Sequence, residues 1–118
     1  MYRNLDELFY KLSKSKFRSS FHLNHKMKEY VKTKGLDEIE RHAYEFIDKR
    51  LKPSLIPNDG CQTPMKQTHP VFISQHATAT CCRKCLYRWH GIDINKTLNK
   101  DEVDYIVRVI MKWIKNEL

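Results

Sequence analysis

The sequence predicts a mainly α-helical fold: a small single domain of about five helices, with a long irregular loop leading into a Cys/His segment. Apolar residues recur at helical spacing in the N-terminal half and again near the C-terminus, and capping residues precede these stretches. A chain of 118 residues is typical of one domain with one core. We expect a helical basic half (1–52), a loop and extended segment (53–80), and a Cys/His helix followed by the C-terminal helix (81–118).

The first two helices are predicted from their caps. Asn4 is a suitable N-cap for a helix that ends near Lys16, with acidic residues in its first turn, where the helix dipole favours them. Asn24 is expected to cap a second, shorter helix that runs to Lys34, and Gly35 is expected to end it.

The third helix has the clearest apolar pattern in this half. Asp37 and Glu40 form a capping pattern at its start, and Pro53 should end it because proline disfavours helical geometry in the residue before it. His42 lies beside the apolar stripe and is expected to be a surface histidine without a special role. The stripe comprises Leu36, Ile39, Ala43, Phe46, Ile47 and Leu51.

An irregular segment is predicted from Pro53 to Pro70. The sequence Pro57-Asn58-Asp59-Gly60 is a turn signal, and loops this long in small domains are more often functional than not. The short apolar segment 71–73 that follows is either a strand or the start of a helix.

Two helices are predicted after this loop. Thr80 would cap a helix spanning residues 81–90, which Gly91 would close. Asn99 and Glu102 form a capping pattern for the last helix. Its wide apolar stripe is typical of a core-facing helix, although a homodimer interface remains an alternative. The stripe comprises Val103, Ile106, Val107, Ile110, Met111, Trp113 and Ile114.

The segment from Gln75 to His90 holds three of the four cysteines and two of the six histidines. Thiolate and imidazole are the ligands that zinc prefers. Cys82 and Cys85 form a C-x-x-C pair, and His90 follows after four residues, a spacing similar to the first three ligands of a zinc knuckle. This pattern predicts a zinc site.

The fourth ligand is less clear, because Asn95 stands where a zinc knuckle would have a histidine or cysteine. We therefore predict a metal site formed by Cys82, Cys85, His90 and His76. The alternatives for the fourth position are Cys61, His69 and Cys81. Buried structural thiols without a metal are the competing interpretation, since free cysteine is often buried.

Positive charge is concentrated near the N-terminus of a chain whose net charge is +8. Residues 11–34 contain eight basic residues and one acid, which is typical of a protein that binds nucleic acid or another polyanion. A solvated lysine-rich face is the alternative. Tyr10, Phe17, Phe21 and Tyr30 are candidates for stacking on bases. The predicted nucleic-acid-binding residues are Lys14, Lys16, Arg18, Lys26, Lys28, Lys32, Arg83, Lys84 and Arg88.

A cytoplasmic location without a membrane partner is expected. No apolar run approaches the roughly 20 residues needed to cross a bilayer, and the N-terminus lacks the apolar core of a signal peptide. A reducing compartment disfavours structural disulfides and so favours a metal as the partner of the cysteines.

Several motifs together carry a family resemblance: residues 17–23, 41–43, 57–65, 69–72 and the QHATATCCRxC motif at 75–85. With them, the chain resembles a family of short, uncharacterised bacterial proteins classed as a domain of unknown function. The resemblance covers nearly the whole chain. It implies one complete domain in a bacterial or phage cytoplasm, and it implies no activity.

Three functions are compatible with these observations, and the sequence leaves open whether the protein is an enzyme. The first is a small zinc-binding cytoplasmic protein that binds nucleic acid through its basic helical patch. The second is a metal- or thiol-dependent enzyme acting on nucleic acid or nucleotides, although the H-x-E and P-C-x-x-C signature of nucleobase deaminases is absent. The third is a helical interaction protein with buried cysteines. The catalytic candidates are Cys81, Cys82, His76, His69 and Asp59.

Overall fold

In residues 1–54 and 59–118, the part of the chain that the computed structural model describes, six α-helices and one 3₁₀ turn form the fold. The prediction of a mainly helical domain is confirmed, with one helix more than expected. Part of the predicted turn at Pro57-Asn58-Asp59-Gly60 lies outside the described residues. The elements are α1 (Leu5–Lys14), the 3₁₀ turn (Arg18–Ser20), α2 (His25–Lys34), α3 (Leu36–Arg50), α4 (Pro70–Ala77), α5 (Arg83–His90) and α6 (Lys100–Glu117).

The predicted caps of α1 and α2 are confirmed, whereas that of α3 is wrong. Asn4 and Asn24 each accept a backbone N–H of their own helix. Gly35, at φ +86°, ends α2 by donating its N–H to Val31 and begins α3 by accepting from Ile39. Because one glycine serves both helices, α3 starts before Asp37 can cap it, and the helix has no side-chain cap.

Helix α6 lies at the centre of the fold and packs against α3 and α4. Asn99 and Glu102 form the predicted capping box at its start. All seven residues of the predicted apolar stripe are buried, so the stripe belongs to the core and is not an exposed face. Full burial of side chains such as Ile106 and Ile110 stabilises the fold by about 1.5–3 kcal/mol each.

The segment predicted as loop and extended chain contains a helix. Residues 70–77 form α4, so the apolar segment 71–73 is the start of a helix and not a strand. Pro70 occupies the first turn, where its missing N–H costs no hydrogen bond, and His69 is the N-cap. Every residue of α4 is buried, because the helix is covered by α2, α3, α6 and the 3₁₀ turn. This burial explains the absence of a polar face in its sequence.

A tight turn returns the chain from α4 to α5. Thr80 N–H donates to Gln75 O (2.8 Å), and Gln75 Nε2 donates back to Thr80 O (3.0 Å). This is a Schellman-type end, and Ala79 adopts the left-handed conformation (φ +57°) that glycine usually takes there. Thr80 was predicted to cap α5 but is occupied in this turn. Helix α5 therefore begins at Arg83, with Cys82 as its N-cap.

Among the helices of the described residues, none combines the length and apolar character that crossing a bilayer requires.

Candidate metal centre

Three cysteine sulfurs meet where α4 passes into α5. The Sγ atoms of Cys81, Cys82 and Cys85 all lie within 4.8 Å of one another, and those of Cys81 and Cys85 are 3.7 Å apart. Cys81 lies in the turn before α5, Cys82 caps the helix, and Cys85 lies in its first turn. The turn and the helix start therefore converge the thiols through local geometry. These three thiols could hold a metal ion.

The start of α5 is organised around acceptors that come from outside the helix. Cys82 Sγ accepts the Cys85 N–H at 3.4 Å. The Asp59 carboxylate accepts the N–H groups of Arg83 (3.0 Å) and Lys84 (3.2 Å). Since this carboxylate satisfies the helix end, Asp59, predicted as a candidate general base, has a capping role.

Arg18 reaches the cysteine cluster from the 3₁₀ turn. Its Nη1 donates to His76 O (2.7 Å) and lies 3.6 Å from Cys81 Sγ, while its Nη2 lies 3.2 Å from Cys85 Sγ. Arg18 was predicted to bind nucleic acid, but its guanidinium points inward to the thiols. The sequence carried no signal for this contact, because 63 positions separate Arg18 from Cys81.

The three thiols and Arg18 influence one another electrostatically. Hydrogen bonds from the Cys81 and Cys82 thiols lower the pKa of Cys85 to about 2; burial opposes this, and Arg18 adds to it. The pKa of Cys81 is raised, because its proton is held in hydrogen bonds with the other two sulfurs and the group is buried. Burial would lower the pKa of Arg18, but its hydrogen bonds to the sulfurs raise it on balance. These contacts favour the thiolate form of Cys85, which lies beside the Arg18 cation.

His90, predicted as a metal ligand, has both ring nitrogens engaged elsewhere. Nδ1 lies 2.8 Å from Tyr105 Oη and Nε2 lies 2.9 Å from Thr78 O. The carbonyl requires a proton on Nε2, so Nδ1 accepts from the tyrosine hydroxyl. Burial lowers the pKa of His90 to about 4, which keeps the ring neutral. His90 therefore ties α5 to α6 and to the end of α4, and it does not belong to the sulfur group.

His76, the other predicted imidazole ligand, also lies outside the group. Its Nε2 is 3.2 Å from Thr63 O and 3.1 Å from Pro64 O, and its ring stacks on Phe21. Burial lowers the pKa of His76. The side chain fastens the loop before α4 onto that helix. Cys61, an alternative fourth ligand, is exposed and lies outside the group as well.

His69, a candidate base and ligand, caps α4. Its Nδ1 accepts the Val71 N–H at 3.0 Å, and its Nε2 lies 3.0 Å from His42 Nδ1. Burial lowers the pKa of His69 to about 4, and the neighbouring His42 adds to this. His42 itself is half-buried and lies 3.2 Å from Glu38 Oε1, so the expectation of a surface histidine without a role was wrong.

The predicted nucleic-acid-binding residues divide into two groups. Arg83 is only 3% exposed and donates to the carbonyl oxygens of Leu51, Pro53, Asp93 and Lys96, so it holds the fold together. Arg83 and Arg18 therefore point inward and are not part of the exposed basic surface. Lys28 is half-buried. The side chains that remain exposed are Lys14, Lys16, Lys26, Lys32, Lys84 and Arg88.

The predicted stacking aromatics divide in the same way. Tyr10 and Phe17 are 64% and 53% exposed. Phe21 stacks on His76, and Tyr30 packs edge-on against His69, so both belong to the packing around α4.

A family model described as Domain of unknown function (DUF4186) matches residues 6–115, which is most of the chain. No solved structure matches the chain significantly.

Proposed function

We propose that this chain, which belongs to the DUF4186 family, is a zinc-binding protein that holds the ion through Cys81, Cys82 and Cys85. The observation that carries the proposal is the spacing of the sulfurs. In a tetrahedral site with zinc–sulfur bonds of about 2.3 Å, two sulfurs lie about 3.8 Å apart. The Cys81–Cys85 separation of 3.7 Å agrees with this edge length.

The charge around the cluster supports the proposal. Zinc bound by three thiolates carries a net charge of −1, which is costly in a partly buried site unless a cation lies beside it. Arg18 supplies this cation through contacts to the sulfurs of Cys81 and Cys85. The N–H of Cys85 additionally donates to Cys82 Sγ, which stabilises the thiolate form. We propose that the protein acts in the cytoplasm, where reduced thiols remain available to the ion.

Elemental analysis of the purified, untagged protein tests this proposal. We expect about one zinc per chain in the wild type and in Cys61→Ser, whose thiol is exposed and lies outside the cluster. Cys82→Ser should lose the zinc, and His90→Gln should keep it if it folds, because His90 is hydrogen-bonded elsewhere. The proposal fails if reduced, folded wild-type protein takes up no zinc during reconstitution, measured with circular dichroism as the control for folding.

A second candidate function is the binding of nucleic acid. The specific observation in its favour is that Lys14, Lys16 and Lys26 are exposed, and within the described residues none of them has an ion-pair partner. Exposed lysines of this kind contact phosphates without reading sequence. Tyr10 and Phe17 lie on the same stretch of chain and expose rings that can stack on unpaired bases.

This candidate predicts a specific response to salt. Replacing Lys14, Lys16 and Lys26 by Gln should weaken binding to a single-stranded oligonucleotide more at low salt than at high salt. The slope of log K against log salt should fall by about 2, at roughly 0.7 per phosphate contact. The control is Lys49, Lys66 and Lys115→Gln, which removes the same charge at exposed sites elsewhere. If both triple variants lost the same affinity for the oligonucleotide, the effect would come from net charge alone. That result would contradict a binding surface at Lys14, Lys16 and Lys26.

A further inference from the structure

The described residues bring three ligands together at the sulfur cluster, and no fourth Cys, His, Asp or Glu among them belongs to this group. The two histidines nearest in sequence, His76 and His90, are held by backbone carbonyls and by Tyr105. Cys61 lies outside the sulfur group. Residues 55–58, which the structure does not describe, contain no thiol, imidazole or carboxylate. The fourth ligand of zinc in this site therefore comes from outside the chain, as in sites that bind water or substrate.

The cluster is accessible from the side of Cys85. Cys81 and Cys82 are 8% and 6% exposed, whereas Cys85 is partly exposed. Arg88 follows Cys85 by three residues and is exposed. Side chains on a helix lean toward its N-terminus, so a residue at i+3 lies over residue i on the same face. Lys84 is exposed beside Cys85 at the same helix end.

Arg18 has N–H groups left that can bind a further ligand beside the sulfurs. Its contacts to His76 O, Cys81 and Cys85 use both protons of Nη1 and one of Nη2. The Nε–H and the second Nη2 proton have no partner among the described residues. A guanidinium with two N–H groups left can bind one more acceptor beside the sulfurs.

The charge at the opening identifies the class of this acceptor. Zinc with three thiolates carries −1, and Arg18 brings the site to neutrality. Arg88 then adds a positive charge on the exposed side, whereas Lys84 lies beside the Asp59 carboxylate, which accepts the Lys84 N–H at 3.2 Å. An oxyanion would pair with Arg88 and with the remaining N–H groups of Arg18, and guanidinium groups match the geometry of phosphate oxygens particularly well.

We propose that the fourth coordination position binds a phosphate oxygen, with Arg18 and Arg88 contacting the remaining oxygens of the same group. This inference rests on the proposed zinc site. The chemistry is that of a phosphate with a free terminal oxygen, which free phosphate, a nucleoside monophosphate and the 5′-phosphate end of a nucleic acid share.

The test uses the full chain loaded with Co²⁺ in place of zinc. Co²⁺ bound by thiolates has a sulfur-to-cobalt absorption band, and its visible ligand-field bands change when one ligand is exchanged. The protein is titrated with inorganic phosphate, with a nucleoside monophosphate and with an oligonucleotide carrying or lacking a 5′-phosphate. Chloride at matched ionic strength is the control. We expect a saturable change in the visible bands with phosphate-bearing compounds, and the tightest of the three identifies the source.

Substitution of Arg88 tests the role of the flanking cation. Arg88→Gln should raise the apparent Kd for the phosphate compound about tenfold, since it removes a charge-assisted hydrogen bond to the phosphate. Arg41→Gln, an exposed arginine on α3, should leave the Kd unchanged. A sulfur-to-cobalt band with visible bands that respond to no phosphate, or equally to chloride, would overturn this inference and leave the metal site standing. Absence of the sulfur-to-cobalt band would overturn both.

Discussion

The Arg18 guanidinium contacts two cysteine sulfurs and the carbonyl oxygen of His76. It offsets the negative charge that three thiolates would bring to a metal. A cation in this position belongs to the cysteine cluster and not to the basic surface.

Replacing Arg18 should therefore weaken metal binding without removing any ligand. We expect Arg18→Gln to lower zinc affinity about 10–100-fold, the usual cost of losing a group that supports metal ligands. Arg18→Lys should give a smaller loss, because it keeps the charge and loses the forked geometry. Competition with a chromophoric zinc chelator measures the affinity. Arg41→Gln is the matched control, and an unchanged affinity in folded Arg18→Gln protein would contradict the charge-balancing role.

The three cysteines illustrate a second point at the scale of residues. The C-x-x-C pair, and Cys81 as an alternative ligand beside it, were visible in the sequence. The sequence did not show whether cysteines or histidines would form the group of candidate ligands, because this depends on which side chains have other hydrogen-bond partners in the folded chain. His90 and His76 find backbone carbonyls in the folded chain, whereas the three sulfurs find one another.

At the scale of elements, α5 is positioned by acceptors and donors that are distant in sequence. Asp59 caps its first N–H groups, and Arg83 joins the end of α3 to the segment after α5 through four carbonyl oxygens. Helix propensity alone would not hold an eight-residue helix in water. The tertiary contacts therefore stabilise the start of α5, and the local convergence of the three sulfurs depends on that helix start.

Arg83→Lys tests this role of Arg83 while keeping its charge. We expect the free energy of unfolding to fall by about 3 kcal/mol, since an ammonium cannot reach all four carbonyl oxygens and leaves several of these acceptors without their charged donor. Urea denaturation measures the change. Lys84→Arg, at the exposed neighbouring position, should change stability by less than about 0.5 kcal/mol. If both variants had wild-type stability, Arg83 would not be a structural residue.

At the scale of the whole molecule, buried neutral histidines make the fold sensitive to acid. Burial lowers the pKa of His69 and of His90 to about 4, from an ordinary value near 6.5. The unfolded chain therefore binds protons between pH 6.5 and 4 that the folded chain excludes. The stability that these two neutral rings contribute is fully present above pH 6.5 and is lost as the pH falls toward 4. Near pH 4, each histidine lowers the free energy of unfolding by about 3 kcal/mol relative to its value at neutral pH.

Urea denaturation at pH 7 and pH 5 measures this loss. We expect the free energy of unfolding to be lower at pH 5 by about 2 kcal/mol for each of the two histidines. His69→Asn should reduce the difference, because asparagine can still cap α4 but does not titrate. His25→Gln, at an exposed position, should leave the difference unchanged. A stability that is the same at both pH values would contradict neutral burial of these rings.

Much of the fold was accessible from the sequence. The caps Asn4, Asn24 and Asn99 act within three residues of themselves, so local sequence carries the full information on where those helices start. Helix α4 was harder to predict, because a helix buried on every side has no apolar–polar period to reveal it. Its first residues therefore remained ambiguous between strand and helix.

The sequence by itself determined that the protein is mainly helical, that three thiols lie within five positions of one another, and that the chain is strongly basic. Only the tertiary structure decided which groups complete the cluster. It brought Arg18 to the sulfurs, assigned Asp59 and His69 to helix caps, and turned Arg83 inward. The physical reason is that helix starts depend on neighbours within one turn, whereas the partner of a buried charge or imidazole is whichever group the folded chain brings within hydrogen-bonding distance.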